Sequence, residues 1–203
     1  MTAATLLASL GLTFFNAPAP AQPGALDTTF GADGKVTTDF DSRWSAFDES
    51  WDIKLQTDGK IVAVGKTGGS GRFALTRYHM DGTLDHSFGG DGKVTTNLSR
   101  GEDVARGVTV QTDGKIVVAG DAEGHDLVNS MFAVSRYNPD GTLDTSFGGD
   151  GKVTTQLSAL SDHVGGLTLQ SDGRIVVAGG ARLNDAHPQF AVARYKRRRH
   201  PRC

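Results

Sequence analysis

Apolar and polar positions along this chain fall into short, strand-sized groups, and the groups recur. The clearest is Gly107-Val-Thr-Val-Gln-Thr-Asp-Gly-Lys-Ile-Val-Val-Ala-Gly120. Val108 and Val110 alternate with Thr109 and Gln111, which gives the first half one apolar face, the signature of a half-buried strand. Asp113-Gly114 then supplies the positive φ angles that a tight hairpin turn needs. Asp58-Gly59 and Asp172-Gly173 hold the same place in two further copies. The return halves, Ile61–Val64, Ile116–Ala119 and Ile175–Ala178, are apolar without alternation. A strand apolar on both faces must be covered on both sides. In a repeat protein the cover is the neighbouring repeat.

Two more strand-sized pieces accompany each hairpin. One is short and β-branched: Lys35-Val-Thr-Thr38, Lys93-Val-Thr-Thr96 and Lys152-Val-Thr-Thr155. The other is Phe73-Ala-Leu-Thr-Arg-Tyr78, Phe132-Ala-Val-Ser-Arg-Tyr137 and Phe190-Ala-Val-Ala-Arg-Tyr195. In a strand, its Phe and the aliphatic residue two later share one face, with Ala and Tyr on the other. The Arg falls on the Phe face, near the strand's end. Asn138-Pro-Asp-Gly141 has the composition of a type I turn. No interval sustains an apolar period of 3.6 residues, so no helix is expected after the N-terminal segment.

A linking motif sets the period. It runs Leu143-Asp-Thr-Ser-Phe-Gly-Gly-Asp-Gly-Lys-Val-Thr-Thr155, recurs almost unchanged from Leu84 to Thr96, and appears a third time from Leu26 to Thr38. The three leucines are 58 and 59 residues apart. The expected organisation is three repeats at about 26–83, 84–142 and 143–195, each an antiparallel set of four strands. Four strands joined by tight turns at a fixed interval describe the blade of a β-propeller.

The Leu-Asp-x-x-Phe-Gly start, the Asp-Gly-Lys-Ile-Val-x-x-Gly core and the Phe-x-x-x-Arg-Tyr end together resemble the delta-60 repeat family of exported bacterial proteins. The resemblance covers roughly Leu26 to Tyr195. It implies a propeller-type fold and an extracellular or cell-surface setting, and it implies no activity. Propellers typically close with 4–8 blades, and three repeats leave three solutions: a fragment of a longer partial propeller, a ring completed by oligomerisation, or a three-fold β-trefoil-like barrel. After Tyr195 the pattern breaks into Lys-Arg-Arg-Arg-His-Pro-Arg-Cys203, which favours the fragment.

Composition changes the picture at the two ends. Thr5 to Phe15 is apolar but shorter than the roughly 20 residues that span a bilayer. Ala19 and Ala21 follow at signal-peptidase spacing, so residues 1–21 are expected to be a secretory signal, although Met-Thr-Ala-Ala lacks a basic residue. No other segment is apolar for long enough to cross a membrane. Residues 196–203 are expected to be a basic, disordered tail. The net charge of −2 includes five positive charges in that tail, which leaves −7 on the rest of the chain. An acidic body argues against a nucleic-acid partner. The single cysteine, Cys203, cannot form an internal disulfide.

Enzyme motifs are missing: no nucleophile elbow, no phosphate loop, no His-Glu-x-x-His zinc site. The six histidines share no repeat position. Three sets of recurring aspartates are the best chemical lead: Asp33, Asp91 and Asp150; Asp27, Asp85 and Asp144; Asp48, Asp103 and Asp162. They have the chemistry of Ca²⁺ ligands, but turns select Asp for the backbone bond that its side chain makes two residues on. No catalytic, cofactor-binding or metal residue is therefore assigned, and no cofactor is expected.

Residues that recur in every repeat, including Lys35, Lys93 and Lys152 and the Arg-Tyr pairs, point to a structural job such as bridging neighbouring repeats. Unique residues sit in the stretches 66–72, 121–131 and 181–189, where a repeat scaffold places specificity. The expectation is a non-catalytic scaffold or a binder of protein or glycan. Self-association through the uncovered end repeats is expected too. The alternative is a hydrolase or lyase that uses loop carboxylates such as Asp103 or Asp162.

Overall fold

The computed structural model describes residues 22–40, 47–68, 71–124, 129–183 and 187–197. Every regular element among them is a β-strand, and they form three separate antiparallel sheets. The first holds β1 (Glu49–Leu55), β2 (Ile61–Lys66), β3 (Phe73–Tyr78) and β4 (Lys93–Thr96), paired in that order. The second repeats the pattern with β5 (Asp103–Val110), β6 (Ile116–Glu123), β7 (Ser130–Tyr137) and β8 (Lys152–Thr155). The third has β9 (Asp162–Leu169), β10 (Ile175–Ala181) and β11 (Gln189–Tyr195).

Strand β5 lies beside both β1 and β9, and these three form the inner edges of the sheets, while β4 and β8 lie outermost. This is the blade arrangement of a propeller. The trefoil-like alternative is not adopted, because each repeat closes its hydrogen bonds within its own sheet.

The uniform apolar return strands behave as their sequence demands. In the middle sheet Ile116, Val117, Val118 and Ala119 are all completely buried. Ile116 and Val118 pack with Val62, Phe73 and Leu75 of the first sheet. Val117 and Ala119 pack with Val164, Ile175 and Val177 of the third. One strand thus serves two hydrophobic seams. The end sheets have one seam each: Ile53 and Leu55 at the N-terminal end are 61% and 66% exposed, and Phe190 and Val192 at the other are 104% and 67% exposed.

Two expectations are corrected. First, the sequence repeat and the blade are out of phase. Lys93–Thr96 pairs with β3, the strand before it in the chain, in the register Phe73↔Thr96 to Thr76↔Lys93. Lys152–Thr155 likewise pairs with β7. Each linking motif therefore finishes the blade that precedes it instead of starting the next. Lys35–Thr38, with no preceding blade among the described residues, is not a strand. By the same shift the third sheet has three strands, not four.

Second, only the glycine of each hairpin is left-handed, with φ of +83°, +80° and +78° at Gly59, Gly114 and Gly173. Gly114 N–H bonds the Gln111 carbonyl at 2.9 Å and Gln111 N–H bonds the Lys115 carbonyl at 2.8 Å. That is a type I turn followed by a left-handed glycine, the three-residue hairpin loop. The expected signal segment, residues 1–21, and residues 198–203 of the tail lie outside the described residues.

The recurring polar residues lock this arrangement. Arg77 is 4% exposed. Its Nε donates to Asp85 Oδ2 at 2.7 Å, its Nη2 to Ser87 Oγ at 3.0 Å, and its Nη1 to the Pro139 carbonyl of the next blade's turn at 2.5 Å. The guanidinium lies 4.7 Å from the centroid of Phe88. Arg136 repeats this with Asp144 at 2.8 Å, Ser146 at 3.0 Å and Phe147 at 4.9 Å.

The tyrosines work in the opposite direction, each hydroxyl meeting a threonine of the linking motif one blade earlier. The O···O distances are 2.6 Å for Tyr78 and Thr38, 2.8 Å for Tyr137 and Thr96, and 3.0 Å for Tyr195 and Thr155. Burial pushes the Tyr137 phenol up to about 12. The motif lysines also reach back: Lys93 Nζ meets the Asp39 carbonyl at 3.3 Å and Lys152 Nζ the Asn97 carbonyl at 3.4 Å. Repeat-to-repeat bridging is thus the job of these side chains.

The Arg–Asp clamp gives a pH prediction. Burial opposes the charged form of Asp85, but hydrogen bonds from Ser87 and Lys60 and the charge of Arg77 outweigh it and hold the carboxyl well below the usual range. A depressed folded-state pKa stabilises the fold above the unfolded value of about 3.9, and the contribution is lost as pH falls through the folded one. Asp85→Asn should therefore destabilise the chain at pH 7, by about 3–5 kcal/mol if the whole buried pair is lost. The gap to wild type should narrow steadily below pH 4. Urea melts across pH 2–7 check this, and a gap independent of pH would show that the clamp is not ionic.

Candidate functional site

The aspartates that led the sequence-based search are engaged within the fold. Asp91 and Asp150 accept the backbone N–H of Lys93 and Lys152, each at 3.0 Å, and Asp33 accepts that of Lys35 at 3.1 Å. These are the turn bonds that Asp residues make two positions on. Asp85 and Asp144 hold the buried arginines.

Asp103 and Asp162 are completely buried. One oxygen of Asp103 accepts Leu98 N–H at 2.7 Å and the other accepts Ser99 Oγ–H at 2.6 Å. Asp162 copies this with Leu157 at 2.7 Å and Ser158 at 2.6 Å. Burial raises the Asp103 pKa against the opposing bonds from Ser99 and Leu98. Both groups organise the loop that leads into the inner strand. Both are engaged by their own loops, at the positions from which the hydrolase or lyase alternative would have them act. Among the described residues no group of three or more His, Cys, Asp or Glu side chains is placed to hold a metal ion.

What the structure offers instead is a row that does not repeat. Each inner pairing contains a β-bulge: in β1 between Ser50 and Asp52, in β5 between Ala105 and Gly107, and in β9 opposite the shift from Ala178 to Gly179. The residues left out of register are Trp51, Arg106 and Gly165, which hold one and the same repeat position. A bulge re-aims its side chain and strengthens the local twist, and bulges concentrate beside functional sites.

The bulge is written into the partner strand by a recurring glycine. A Cβ at Gly65, Gly120 or Gly179 would sit 1.7, 1.9 or 1.9 Å from the carbonyl oxygen of Glu49, Val104 or His163. No side chain fits there, so the backbone of the inner strand can bow inward.

Around the row the one-off charges gather. The Arg106 guanidinium stacks 4.7 Å from the centroid of Trp51 across the first seam, and its Nε donates to Asp121 Oδ2 at 2.8 Å. The other oxygen of Asp121 accepts Val164 N–H from the third sheet at 2.7 Å, while His163 Nδ1 lies 3.6 Å from Oδ2. Lys66 Nζ donates to Glu102 Oε1 at 2.5 Å. At the repeat position shared by Lys66 and Asp121, the third sheet has Gly180. The cluster is partly open: Trp51 is 38% exposed, and the side chains of Arg106 and His163 are 36% and 63% exposed. It combines an aromatic face, a stacked cation and carboxylates.

The loops expected to carry specificity are shorter than their sequence limits, because pairing continues into them. Lys66, Asp121 to Glu123, Ser130 and Met131, Ala181 and Gln189 are all strand residues. Residues 69–70, 125–128 and 184–186 of these loops lie outside the described residues. Sequence reasoning missed the bulge row. Its signal was an isolated glycine inside an otherwise apolar strand, three times at one position.

Fold and row together define an all-β repeat protein built from propeller blades. Residues 56–88, 111–147 and 170–197 match the family described as "Domain of unknown function (DUF5122) beta-propeller". The chain carries repeats of that β-propeller domain across residues 56–197. No curated protein matches it.

If Gly120 fixes the bulge that carries Arg106, Gly120→Ala should cost about 1–3 kcal/mol, the usual scale of overpacking. It should also displace Arg106 from Trp51 and change the tryptophan fluorescence of the folded chain. Denaturant unfolding followed by fluorescence checks both. An unaltered midpoint would mean that the bulge is not set by this glycine.

Proposed function

We propose that this β-propeller repeat domain is a non-catalytic module of the cell surface or the extracellular space, acting as a scaffold or as a binder of protein or glycan through its bulge row. The observation that carries the proposal is a division of labour. Polar residues common to the repeats are engaged inside the fold: Arg77 and Arg136 with Asp85 and Asp144 close blades, Asp103 and Asp162 gather loops, and Tyr78, Tyr137 and Tyr195 reach the preceding repeat. The row of Trp51, Arg106 and His163, which gathers around the buried Asp121, is partly open and differs from blade to blade. A rigid scaffold with a variable aromatic and charged patch suits recognition, since Trp and Arg dominate binding hot spots. Asp103 and Asp162, buried and bonded to their own loops, are structural carboxylates in this reading.

The setting is inferred from the apolar run Thr5 to Phe15 with Ala19 and Ala21 behind it. The resemblance to exported delta-60 repeat proteins supports it.

Binding is tested by titrating the full chain onto arrays of surface glycans and extracellular-matrix proteins, with Trp51→Ala and Arg106→Ala beside it. A ligand of the row should lose at least about ten-fold in affinity with either variant, the scale of a single hot-spot truncation. Retention of affinity in both would move the site elsewhere. Export is tested separately. Expressed in a bacterium, the chain should appear outside the cytoplasm with Gln22 as its new N-terminus, and a cytoplasmic, uncleaved product would refute the setting.

A further inference from the structure

We infer that the third sheet is completed by a second copy of this chain, whose segment Leu26–Thr38 adds to the free edge of β11. The occupant is identified by two complete examples in the same molecule. Segments Leu84–Thr96 and Leu143–Thr155 each bring a strand to the outer edge of a blade, and each brings the aspartate that neutralises the blade's arginine. Leu26-Asp-Thr-Thr-Phe-Gly-Ala-Asp-Gly-Lys-Val-Thr-Thr38 is a third segment of the same kind. Among the described residues it pairs with no blade as a strand, while β11 pairs with β10 alone.

The two ends match in detail. Arg194 occupies the position of Arg77 and Arg136, which are 4% exposed, yet it is itself exposed. The residues that follow, Lys196 and Arg197, bring no carboxylate to it. Asp27, the counterpart of Asp85 and Asp144, is exposed and bonds only its own neighbour Thr29 in the hydrogen bonds resolved for it. A cation without its usual partner and a carboxylate without its usual partner thus lie at opposite ends of one chain. Phe190 and Val192 are bare at one end, where Phe73, Leu75, Phe132 and Val134 are completely buried elsewhere. Ile53 and Leu55 are bare at the other, at the repeat positions of Val108 and Val110, which pack against the first sheet's core.

The N-terminal end already holds its segment in place. Thr38 meets the Tyr78 hydroxyl at 2.6 Å, and Gly31 N–H bonds the Asp81 carbonyl at 2.8 Å. These are the contacts of Thr96 with Tyr137 at 2.8 Å and of Gly89 N–H with the Asp140 carbonyl at 2.9 Å. Segment 26–38 therefore stands against the first sheet as the outer strand of a preceding blade would, waiting for that blade. Docking a second copy's third sheet there forms one more seam like the two inside the chain. The register follows from them: Phe190↔Thr38, Ala191↔Thr37, Val192↔Val36, with Arg194 on Asp27. A head-to-tail contact of this kind either closes or runs on as a filament. Two chains give six blades, inside the range of about 4–8 that propellers adopt, and three would give nine. The expected assembly is a closed dimer.

The experiment uses the full chain with Cys203→Ser. One preparation carries Ala191→Cys and another Thr37→Cys; these two positions face each other in the narrow, non-hydrogen-bonded pairing of the proposed ladder. Mixed and oxidised, they should yield a covalent heterodimer, and sedimentation of the parent at micromolar concentration should show a dimer. In a second series Arg194→Asp should weaken the dimer at least about thirty-fold. Adding Asp27→Arg to the same chain should restore it, a rescue that general loss of folding cannot imitate. A concentration-independent monomer, an aggregate without the specific crosslink, or a disulfide formed within single chains carrying both cysteines would each overturn the inference.

Discussion

A buried guanidinium sets the phase of this fold. Arg77 and Arg136 point from the third strand of a blade into a space that admits almost no water, and an unpaired charge there would be prohibitively costly. The carboxylate that answers each lies eight residues on, in Asp85 and Asp144, at the start of the linking motif. The motif must therefore fold back over the blade that has just been made before the chain moves to the next. Its Phe88 or Phe147 slides under the guanidinium, and its last four residues pair with the strand that carries the arginine. Arg77 in addition holds the Pro139 turn of the following blade. One side chain closes a sheet and orients its neighbour.

That interaction also explains what the sequence revealed and what it hid. Hairpins were legible because their signal is local: Val108 and Val110 alternate, a left-handed glycine follows, and a uniform apolar strand returns. Burial of Ile116 to Ala119 on both faces followed from the same uniformity. The allotment of Lys93–Thr96 was not legible, since a four-residue strand beside a turn pairs equally well, on propensity alone, with what precedes or follows. The deciding contact is between Arg77 and Asp85, side chains from two motifs that looked like separate punctuation. The bulges were hidden for another reason. Gly65, Gly120 and Gly179 looked like ends of strands, whereas each is a strand interior emptied of a side chain so that a carbonyl of the inner strand can occupy the space.

Recurrence and uniqueness divide the polar residues between those every blade needs and those no blade requires. A residue present in every blade answers a need that every blade has: an arginine to be neutralised, a loop to be gathered by Asp103 or Asp162, a tyrosine hydroxyl to reach the preceding blade. The inner-strand bulge is also such a need, and its glycine recurs. What the bulge displays is unconstrained by it, so Trp51, Arg106 and Gly165 differ while their backbones agree. The scaffold supplies a fixed position and leaves its chemistry free.

The row and the ends of the chain are connected through geometry. Each bulge residue is conditioned by the blade beside it, as Trp51 is by the Arg106 guanidinium stacked on its ring. Gly165 offers nothing to a following blade, and Trp51 receives nothing from a preceding one. In the proposed head-to-tail assembly β9 of one copy adjoins β1 of the other, so the residue brought beside Trp51 is one with no side chain. One face of the indole would stay covered by Arg106, and the adjoining bulge residue would add no side chain to the ring. The same contact that neutralises Arg194 at the rim would then build, from two chains, a central surface carrying two such aromatic faces in symmetric positions.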